Sequence, residues 1–322
     1  MTKRRNVLQT LAAAGILPVL PFARAQSPSN RILVGFPAGG LPDIVARGIA
    51  VGVSQALEGP SVVENRPGAN GRLAGQAVKA AAPDGRTLLV CPASAMVHLP
   101  HVYKDLGYDP FADFAPVAQL VENAFAFAIS AKNPARNLAE WGVWCKQNPE
   151  QATYGSPGQG SSPHFMGDQV GRALAAPMRH VPYRGNNFAL TDVTGGHISG
   201  MVSTTGQLTP QHKAGHIRIL AVTARTRLPE LPAVPTFEEQ GMAQLTLTEG
   251  TWVMAPGRTS AAVVDKLSAA ILGLLKSQPQ LAASLEIQAD VAPLGAAALA
   301  QRLREDFDRR GAGIRAAGFS AG

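Results

Sequence analysis

Short β-type runs alternate with amphipathic helical segments along most of this 322-residue sequence. The first strands are predicted at residues 31–36, 61–65 and 87–91, with helices at 42–57 and 71–82 between them. Within 42–57, apolar side chains recur at positions 45, 49, 53 and 57, which is the spacing of one helix face. Strands joined by crossover helices favour a parallel sheet covered by helices, so the sequence predicts an α/β fold.

The same alternation continues toward the C-terminus. Strands are predicted at 125–130, 153–156, 179–181, 198–203, 218–223 and 247–255, and helices at 137–147, 162–174, 188–194, 207–214, 260–275 and 296–317. If the strands at 125–130 and 247–255 both cross between two units, residues 126–248 form one lobe. Residues 26–125 and 249–322 then form the other lobe, and the two crossings make a hinge over a cleft.

The first 25 residues have the features of an export signal. Lys3-Arg4-Arg5 precedes an apolar stretch over 8–22, and Ala23-Arg24-Ala25 fits a small-x-small cleavage site. Residues 4–9 also resemble a twin-arginine signal, which leaves the export route open. An amphipathic N-terminal helix is the alternative, but two prolines interrupt the apolar run. We therefore expect a periplasmic protein whose leader is cleaved near residue 25.

Charge and hydropathy argue against two classes of protein. The predicted leader contains four of the 29 basic residues and no acid, so the remaining chain has 25 bases against 22 acids. The sequence has no Lys/Arg-rich stripe with interleaved aromatic residues, which argues against nucleic-acid binding. It has no uninterrupted apolar run of 18 residues, which argues against an integral membrane protein.

Cys91 and Cys145 are the two cysteines of the chain. Export permits a disulfide, but a chain of this length can build its core without one. We expect two separately buried thiols and leave their pairing open.

The loop at 36–43 follows the first predicted strand and leads into a helix, with the sequence Phe36-Pro37-Ala38-Gly39-Gly40-Leu41-Pro42-Asp43. Ligands of open α/β sheets bind at such strand ends. Glycines let the backbone approach a ligand closely, and the helix start offers free N–H groups to an anion. The loop is either an anion cradle or an ordinary strand–turn–helix connection in which Asp43 caps the helix.

A second loop rich in glycine and serine, residues 154–164, follows another predicted strand. Ser161 or Ser162 suits a helix N-cap, and Pro163 suits the first helical position. The loop is either a capped helix start or a second anion cradle that faces the first. The strand ends at 181–186 and 202–204 are expected at the same edge of the fold.

Catalytic and metal-binding patterns are incomplete. Ser161 or Ser162 with His164 would supply a nucleophile and a base, but G-x-S-x-G is absent and this spacing does not make a reliable triad. His98 and His101 lack an obvious third metal ligand, and the segment 92–100 is predicted as a loop. We therefore predict no catalytic residue, no metal site and no cofactor.

An ordered set of motifs covers nearly the whole chain after the leader. They are Gly35-Phe36-Pro37-Ala38-Gly39-Gly40-x-x-Asp43, Val63-Glu64-Asn65-Arg66-Pro67-Gly68-Ala69-x-Gly71, Ala82-Pro83-Asp84-Gly85, Tyr108-Asp109-Pro110, Gly160-x-Ser162-Pro163-His164, Val181-Pro182-Tyr183-Arg184-Gly185 and Leu220-Ala221-Val222-Thr223. In this set the chain resembles the substrate-binding proteins of the tripartite tricarboxylate transporter family, the Bug-type periplasmic receptors.

The resemblance implies a type II periplasmic-binding-protein fold, in which two α/β lobes joined by two crossing strands close over one small carboxylate without performing chemistry. The ligand-binding residues it implies are Phe36, Pro37, Ala38, Gly39, Gly40, Asp43, Ser94, Ser156, Gly160, Ser161, Ser162, His164, Tyr183, Arg184, Ser203 and Thr204. The expected protein is a monomer that serves a membrane transporter and binds a di- or tricarboxylate or another organic acid, aromatic acids included. The alternatives are a periplasmic enzyme of the same fold and a sensor for a membrane kinase.

Two departures from the family pattern bear on the ligand. Leu41 stands where the family often has serine, and Ser203-Thr204 stands where many members have Asp-Asn. The hypothesis that follows is a cavity that has lost a carboxylate and gained apolar surface. Such a cavity would prefer a carboxylate without an ammonium group over an amino acid.

Overall fold

The first βαβαβ unit forms as the sequence predicts. The computed structural model describes residues 29–287 and 289–320, so the predicted leader lies outside the described residues. Strands β1 (Asn30–Val34), β2 (Ser61–Asn65) and β3 (Thr87–Pro92) alternate with helices α1 (Leu41–Leu57) and α2 (Arg72–Lys79). β1 pairs in parallel with both β2 and β3. Helix α1 is stabilised by its apolar face, since Val45, Ile49 and Val53 are fully buried in the core.

Two short helices, α3 (Ser94–Val97) and α4 (Leu99–Val102), follow β3. The predicted loop at 92–100 is therefore wrong. Each helix has four residues, too few to show a hydrophobic period or to be stable alone. Burial of Met96 and Leu99 in the core holds them in place, and a sequence pattern does not report that contact.

The second unit repeats the alternation, with bounds within two residues of the predicted ones for most elements. It contains β4 (Phe114–Ser130), α5 (Leu138–Gln147), β5 (Thr153–Ser156), α6 (Ser162–Ala173), β6 (Arg179–Pro182), α7 (Asn186–Gly195), β7 (Gly200–Thr204), α8 (Thr205–Lys213) and β8 (Ile217–Val222). β5 pairs in parallel with β6 and β7, while β7 and β8 pair antiparallel with β4.

The chain then returns to the first sheet. This last section contains β9 (Thr248–Pro256), α9 (Ala261–Ser277), α10 (Pro279–Glu286), β10 (Asp290–Gly295) and α11 (Ala296–Ala316). β9 pairs antiparallel with β3 and β4, and β10 pairs antiparallel with β4. Helix α10 and strand β10 were not predicted from the sequence, because both are short and β10 contains a proline.

Strand β4 takes part in both halves of the fold. Residues 114–124 pair with β9, and residues 125–130 pair with β7 and β8. The strand order is therefore β2-β1-β3-β9-β4-β7-β5-β6, and the fold consists of two α/β lobes that share β4. The predicted strand covered only 125–130, because Pro116 and the polar residues Gln119 and Glu122 hide the strand pattern before it. The lobe boundaries 26–125, 126–248 and 249–322 stay a prediction.

The two cysteines lie in different hydrophobic clusters. Cys91 packs with residues of α2, α3 and α11, whereas Cys145 packs with α5 and α6. Both thiols are free and buried, and burial raises the pKa of Cys145 to about 12. In the part of the chain that the structure describes, no helix is both long and apolar enough to cross a membrane.

Candidate ligand-binding site

A cavity of about 370 Å³ lies where several strands end and the following helices begin. Seven of the sixteen residues predicted from the sequence line it: Phe36, Pro37, Ala38, Gly40, Ser94, Ser161 and Thr204. The other lining residues include neutral polar side chains, among them Asn70, Asn123, Asn186, Asn187 and Thr251. The two Gly-rich loops predicted to face each other thus contribute to one cavity.

Four helices begin at this cavity. The residue before each helix lines the wall: Gly40 before α1, Ser161 before α6, Gly185 before α7 and Thr204 before α8. A helix start carries unpaired N–H groups and the positive end of the helix dipole. Of the four, only α6 has a side-chain cap, in which Ser161 Oγ accepts a hydrogen bond from the His164 amide at 3.3 Å. The arrangement suits an anion.

Asp43 lies behind the first loop and does not line the cavity. Its carboxylate accepts hydrogen bonds from the Gly39 amide at 2.9 Å, from Arg47 Nε at 3.0 Å and from Asn65 Nδ2 at 2.9 Å. Burial acts to raise its pKa, but these hydrogen bonds outweigh burial and the pKa is lowered. Asp43 therefore fixes the conformation of the loop at 36–40 rather than reaching into the cavity.

A pair of histidines supports the second loop. His164 Nδ1 accepts a hydrogen bond from the Gly160 amide at 2.9 Å, and His180 Nε2 lies 2.7 Å from Ser156 Oγ. The two rings stack with centroids 3.6 Å apart. Gly160, Ser156 and His164 do not line the cavity, so the structure places them as supports of the loop that carries Ser161.

Tyr183 and Arg184 line a separate cavity of about 340 Å³. Phe36 and Asn70 line both cavities and lie between them. The Tyr183 hydroxyl donates to Asp192 at 2.6 Å, within the same lobe. Tyr183 and Arg184 therefore do not line the first cavity, but they share the second one with Phe36, Asn70 and Pro157, which line both.

Three more predicted residues, Gly39, Ser162 and Ser203, do not line the cavity either. Gly39 donates its amide to Asp43, and Ser162 Oγ donates to Glu249 Oε1 at 3.2 Å. Ser203 Oγ donates to Gln207 Oε1 at 2.8 Å, and Gln207 Nε2 donates in turn to Asn187 Oδ1 at 2.6 Å. Ser203 is thus linked to the cavity wall only through Gln207 and the lining residue Asn187.

No serine donates to the His164 ring among the described residues. Ser161 Oγ donates to the Gly158 carbonyl at 2.7 Å, and Ser162 Oγ is directed to Glu249. His101 Nε2 lies 3.0 Å from the Phe307 carbonyl oxygen, while His98 is buried. Within residues 29–287 and 289–320, no group of three His, Cys, Asp or Glu side chains is placed to hold a metal ion.

Glu249 is the ionisable lining residue that was not predicted from the sequence. It lies on β9, is buried, and lines the cavity. Its Oε1 accepts hydrogen bonds from the Ser94 amide at 2.7 Å and from Ser162 Oγ at 3.2 Å. The sequence signal that could have identified Glu249 is an acidic residue within an otherwise apolar strand. The cavity thus has a carboxylate on β9 and none at Ser203-Thr204, and the expected preference for a ligand without an ammonium group stays a prediction.

Comparison with known proteins identifies the family to which the chain belongs. Residues 45–319 match the tripartite tricarboxylate transporter family of receptors. The chain belongs to this family. A UPF0065 protein of Bordetella bronchiseptica is 35% identical over 269 residues, which covers 82% of this chain and 79% of that protein.

Two solved structures show how closely this tripartite tricarboxylate transporter receptor resembles its relatives. The periplasmic binding protein BugD is 28% identical, with a TM-score of 0.83 over 91% of this chain and 98% of BugD. MatC from Rhodopseudomonas palustris, solved with bound malate, is 28% identical, with a TM-score of 0.80 over 88% of this chain and 97% of MatC.

In this receptor the two sides of the cleft touch near the cavity. Asn70, before α2, and Tyr103, after α4, both approach the second loop. Asn70 Nδ2 donates to the Gln159 carbonyl at 3.1 Å, and the Tyr103 hydroxyl donates to the same oxygen at 2.9 Å. The ring of Tyr103 also lies under the Arg72 guanidinium, 4.2 Å from its centroid. These contacts join residues of the two lobes across the cleft.

Proposed function

We propose that this protein is a periplasmic receptor that binds a small organic acid by its carboxylate and delivers it to a tripartite membrane transporter. The observation that carries the proposal is the start of four helices at one cavity of about 370 Å³. No Lys, Arg or His side chain lines that cavity in the described part of the chain. A carboxylate bound there is held by backbone N–H groups, hydroxyls and amides.

The energetics are adequate for a transport receptor. A hydrogen bond to a charged group contributes about 1.5–3 kcal/mol. Four such bonds at the upper end of this range give about 12 kcal/mol, and a cost of about 4 kcal/mol for ordering the ligand and closing the lobes leaves about −8 kcal/mol, which corresponds to micromolar affinity. Family membership and the malate-bound structure of MatC support the same class of ligand.

The sixteen predicted residues divide into two roles under this proposal. The seven lining residues contact the ligand directly. The other nine hold the two loops or extend the site toward the second cavity: Gly39, Asp43, Ser156, Gly160, Ser162, His164, Tyr183, Arg184 and Ser203. We further propose that the receptor acts as a monomer without catalysis, and that residues 1–25 are the export leader.

A thermal-denaturation screen of residues 26–322 tests the proposal. The panel contains di- and tricarboxylates, amino acids and aromatic acids, each with its amide as an uncharged control. A ligand at 100 times its Kd adds about 2.7 kcal/mol to the free energy of unfolding, which is a measurable shift in Tm. We expect at least one acid to stabilise the protein and to be recovered unchanged, while its amide does not. Stabilisation by the amides as well as the acids would contradict recognition of a carboxylate.

A further inference from the structure

The first turn of α7, Asn186-Asn187-Phe188, contributes three consecutive residues to the cavity wall. None of them belongs to the sixteen ligand-binding residues predicted from the sequence. Gly185 precedes this turn, and a Cβ built on Gly185 would lie 3.1 Å from Pro37 Cδ. The turn therefore begins against the first loop, where the two sides of the cleft meet.

Phe188 has an apolar ring that water reaches. Its exposed fraction is 54%, and it is the one exposed large apolar residue of the described chain that lines the cavity. Removing apolar surface from water is favourable, so an apolar ligand group that covers this ring gains affinity. Phe188 therefore favours a ligand with an apolar body.

The rest of the wall supplies further apolar surface and no positive charge. Phe36 and Phe125 contribute two more rings, and Leu41 contributes an aliphatic side chain. Within the described part of the chain no Lys, Arg or His side chain lines the cavity, and its one acidic residue is Glu249. A second carboxylate on the ligand would therefore add charge beside an acid and meet no lining cation, whereas an apolar group would meet three rings. Five prolines also line the cavity, at positions 37, 42, 92, 157 and 163.

Asn186 has an amide group that the protein leaves unsatisfied. Its Oδ1 is buried and has no hydrogen-bond partner, which is destabilising unless a ligand supplies one. Asn187, in contrast, is held by Gln207, whose Nε2 donates to Asn187 Oδ1 at 2.6 Å. A carboxamide has an acceptor at one end and donors at the other, so rotation of the Asn186 amide brings Nδ2 to the same place. In that orientation Asn186 donates to a ligand carboxylate.

We infer that the first turn of α7 determines the ligand class, with Asn186 donating to the carboxylate and Phe188 covering an apolar body. The ligand is then an organic acid that has one carboxylate and an apolar ring or chain. This inference rests on the proposed function, since it assigns the remainder of a ligand whose carboxylate lies at the helix starts. The sequence predicts apolar surface at Leu41 in the first loop, and Phe188 adds to it from the other lobe.

Matched ligand pairs test the ligand class. Isothermal titration compares hexanoate with adipate and 4-methylbenzoate with terephthalate, where a second carboxylate replaces a methyl group. Among these acids and those of the thermal screen, we expect the tightest ligand to have one carboxylate and an apolar body. A second carboxylate in place of its terminal apolar group should weaken binding at least ten-fold. Any other acid as the tightest ligand would overturn the inference and leave the carboxylate receptor intact. Binding of no acid would overturn the proposed function as well.

A variant assigns the preference to Phe188. In Phe188→Ala the affinity for the preferred acid should fall at least ten-fold, while that for its dicarboxylate partner changes less than three-fold. Phe111 is 45% exposed and does not line the cavity, so Phe111→Ala should keep both affinities. Unchanged affinities in Phe188→Ala would contradict the assignment and place the exposed ring outside ligand contact. If that variant fails to fold, the wild-type pairs still decide whether the ligand class is right.

Asn186→Ala separates the role of the amide from that of the ring. Because Asn186 is assigned to the carboxylate that all the acids share, its loss should weaken both members of a pair by the same factor, five-fold or more. Urea denaturation should show no loss of stability, because Asn186 Oδ1 has no hydrogen-bond partner to lose. Unchanged affinities, or a loss confined to one member of the pair, would contradict the role of Asn186.

Discussion

At the scale of single residues, the stacked histidines behind the second loop link the site to pH. Burial lowers the pKa of His164 to about 4 and that of His180 to about 3, and the neighbouring His164 adds to the effect on His180. An imidazole in the unfolded chain has a pKa of about 6.5. Between pH 6.5 and about 4 the unfolded chain therefore binds protons that the folded chain does not.

The free energy of unfolding therefore decreases as the pH falls through this range. The neutral histidines contribute fully to stability above pH 6.5, and that contribution is lost as the pH falls toward 4. Each such imidazole lowers the free energy of unfolding by up to about 1.4 kcal/mol per pH unit. Urea denaturation at pH 7, 6, 5 and 4.5 should show this loss, and His180→Gln should reduce its slope. The exposed variant His216→Gln should keep the wild-type slope; an equal reduction there would contradict the assignment.

At the scale of elements, the start of α7 depends on a glycine. Gly185 has φ +132°, a backbone conformation that other residues rarely adopt, and a Cβ there would lie 3.1 Å from Pro37 Cδ in the first loop. Gly185→Ala should therefore lower stability by about 1–3 kcal/mol and weaken binding of the ligand found by thermal screening at least ten-fold. Calorimetry measures the affinity, and urea denaturation measures the stability.

A second glycine provides the control for that experiment. Gly215 also has a positive φ, +76°, but nothing lies within 4 Å of a Cβ built on it. Gly215→Ala should lose stability and keep its affinity. An affinity loss of the same size in both variants would show that general strain, and not contact with the first loop, weakens binding.

The elements also show what the sequence can and cannot predict. Helix α1 and strands β1 to β3 were predictable because their apolar periodicity is local, and both Gly-rich loops were predictable from their turn residues. The first half of β4 and Glu249 were not, because they depend on pairing with distant strands. Glu249 lies opposite Asn123 in the β4–β9 ladder, and no local pattern reports that this pair faces the cavity.

Some predicted loop residues line the cavity and others only support the loops, and the sequence does not distinguish the two groups. The sequence places Asp43 and His164 beside the cavity-lining glycines and serines but does not indicate which way each side chain points. Asp43 turns to its own loop and to Asn65, and His164 turns to Gly160. Proximity along the chain therefore predicts the two loops that line the cavity and overestimates the number of lining residues.

At the scale of the whole molecule, one tyrosine makes a contact that holds the lobes together. Tyr103→Phe removes the hydroxyl that donates to the Gln159 carbonyl and keeps the ring beside Arg72. Since one such hydrogen bond contributes about 0.5–1.5 kcal/mol, the ligand should dissociate about two- to ten-fold faster. Stopped-flow fluorescence with the preferred ligand measures the rate.

Tyr108→Phe is the matched control for this experiment. The Tyr108 hydroxyl donates to the Ala95 carbonyl at 2.8 Å, inside one lobe. That variant should lower stability and leave the dissociation rate near that of the wild type. If both variants dissociate equally fast, the Tyr103 contact does not hold the cleft closed.

The continuous strand β4 limits how such a receptor can change during evolution. Its residues 114–124 and 125–130 are hydrogen-bonded into different lobes, yet they form one backbone ladder. Because successive side chains of a strand point to opposite faces, inserting or deleting one residue here would turn Asn123 or Phe125 out of the cavity wall. New ligand preferences must therefore arise by substitution at fixed strand length, or by changes in the loops that precede the four helices.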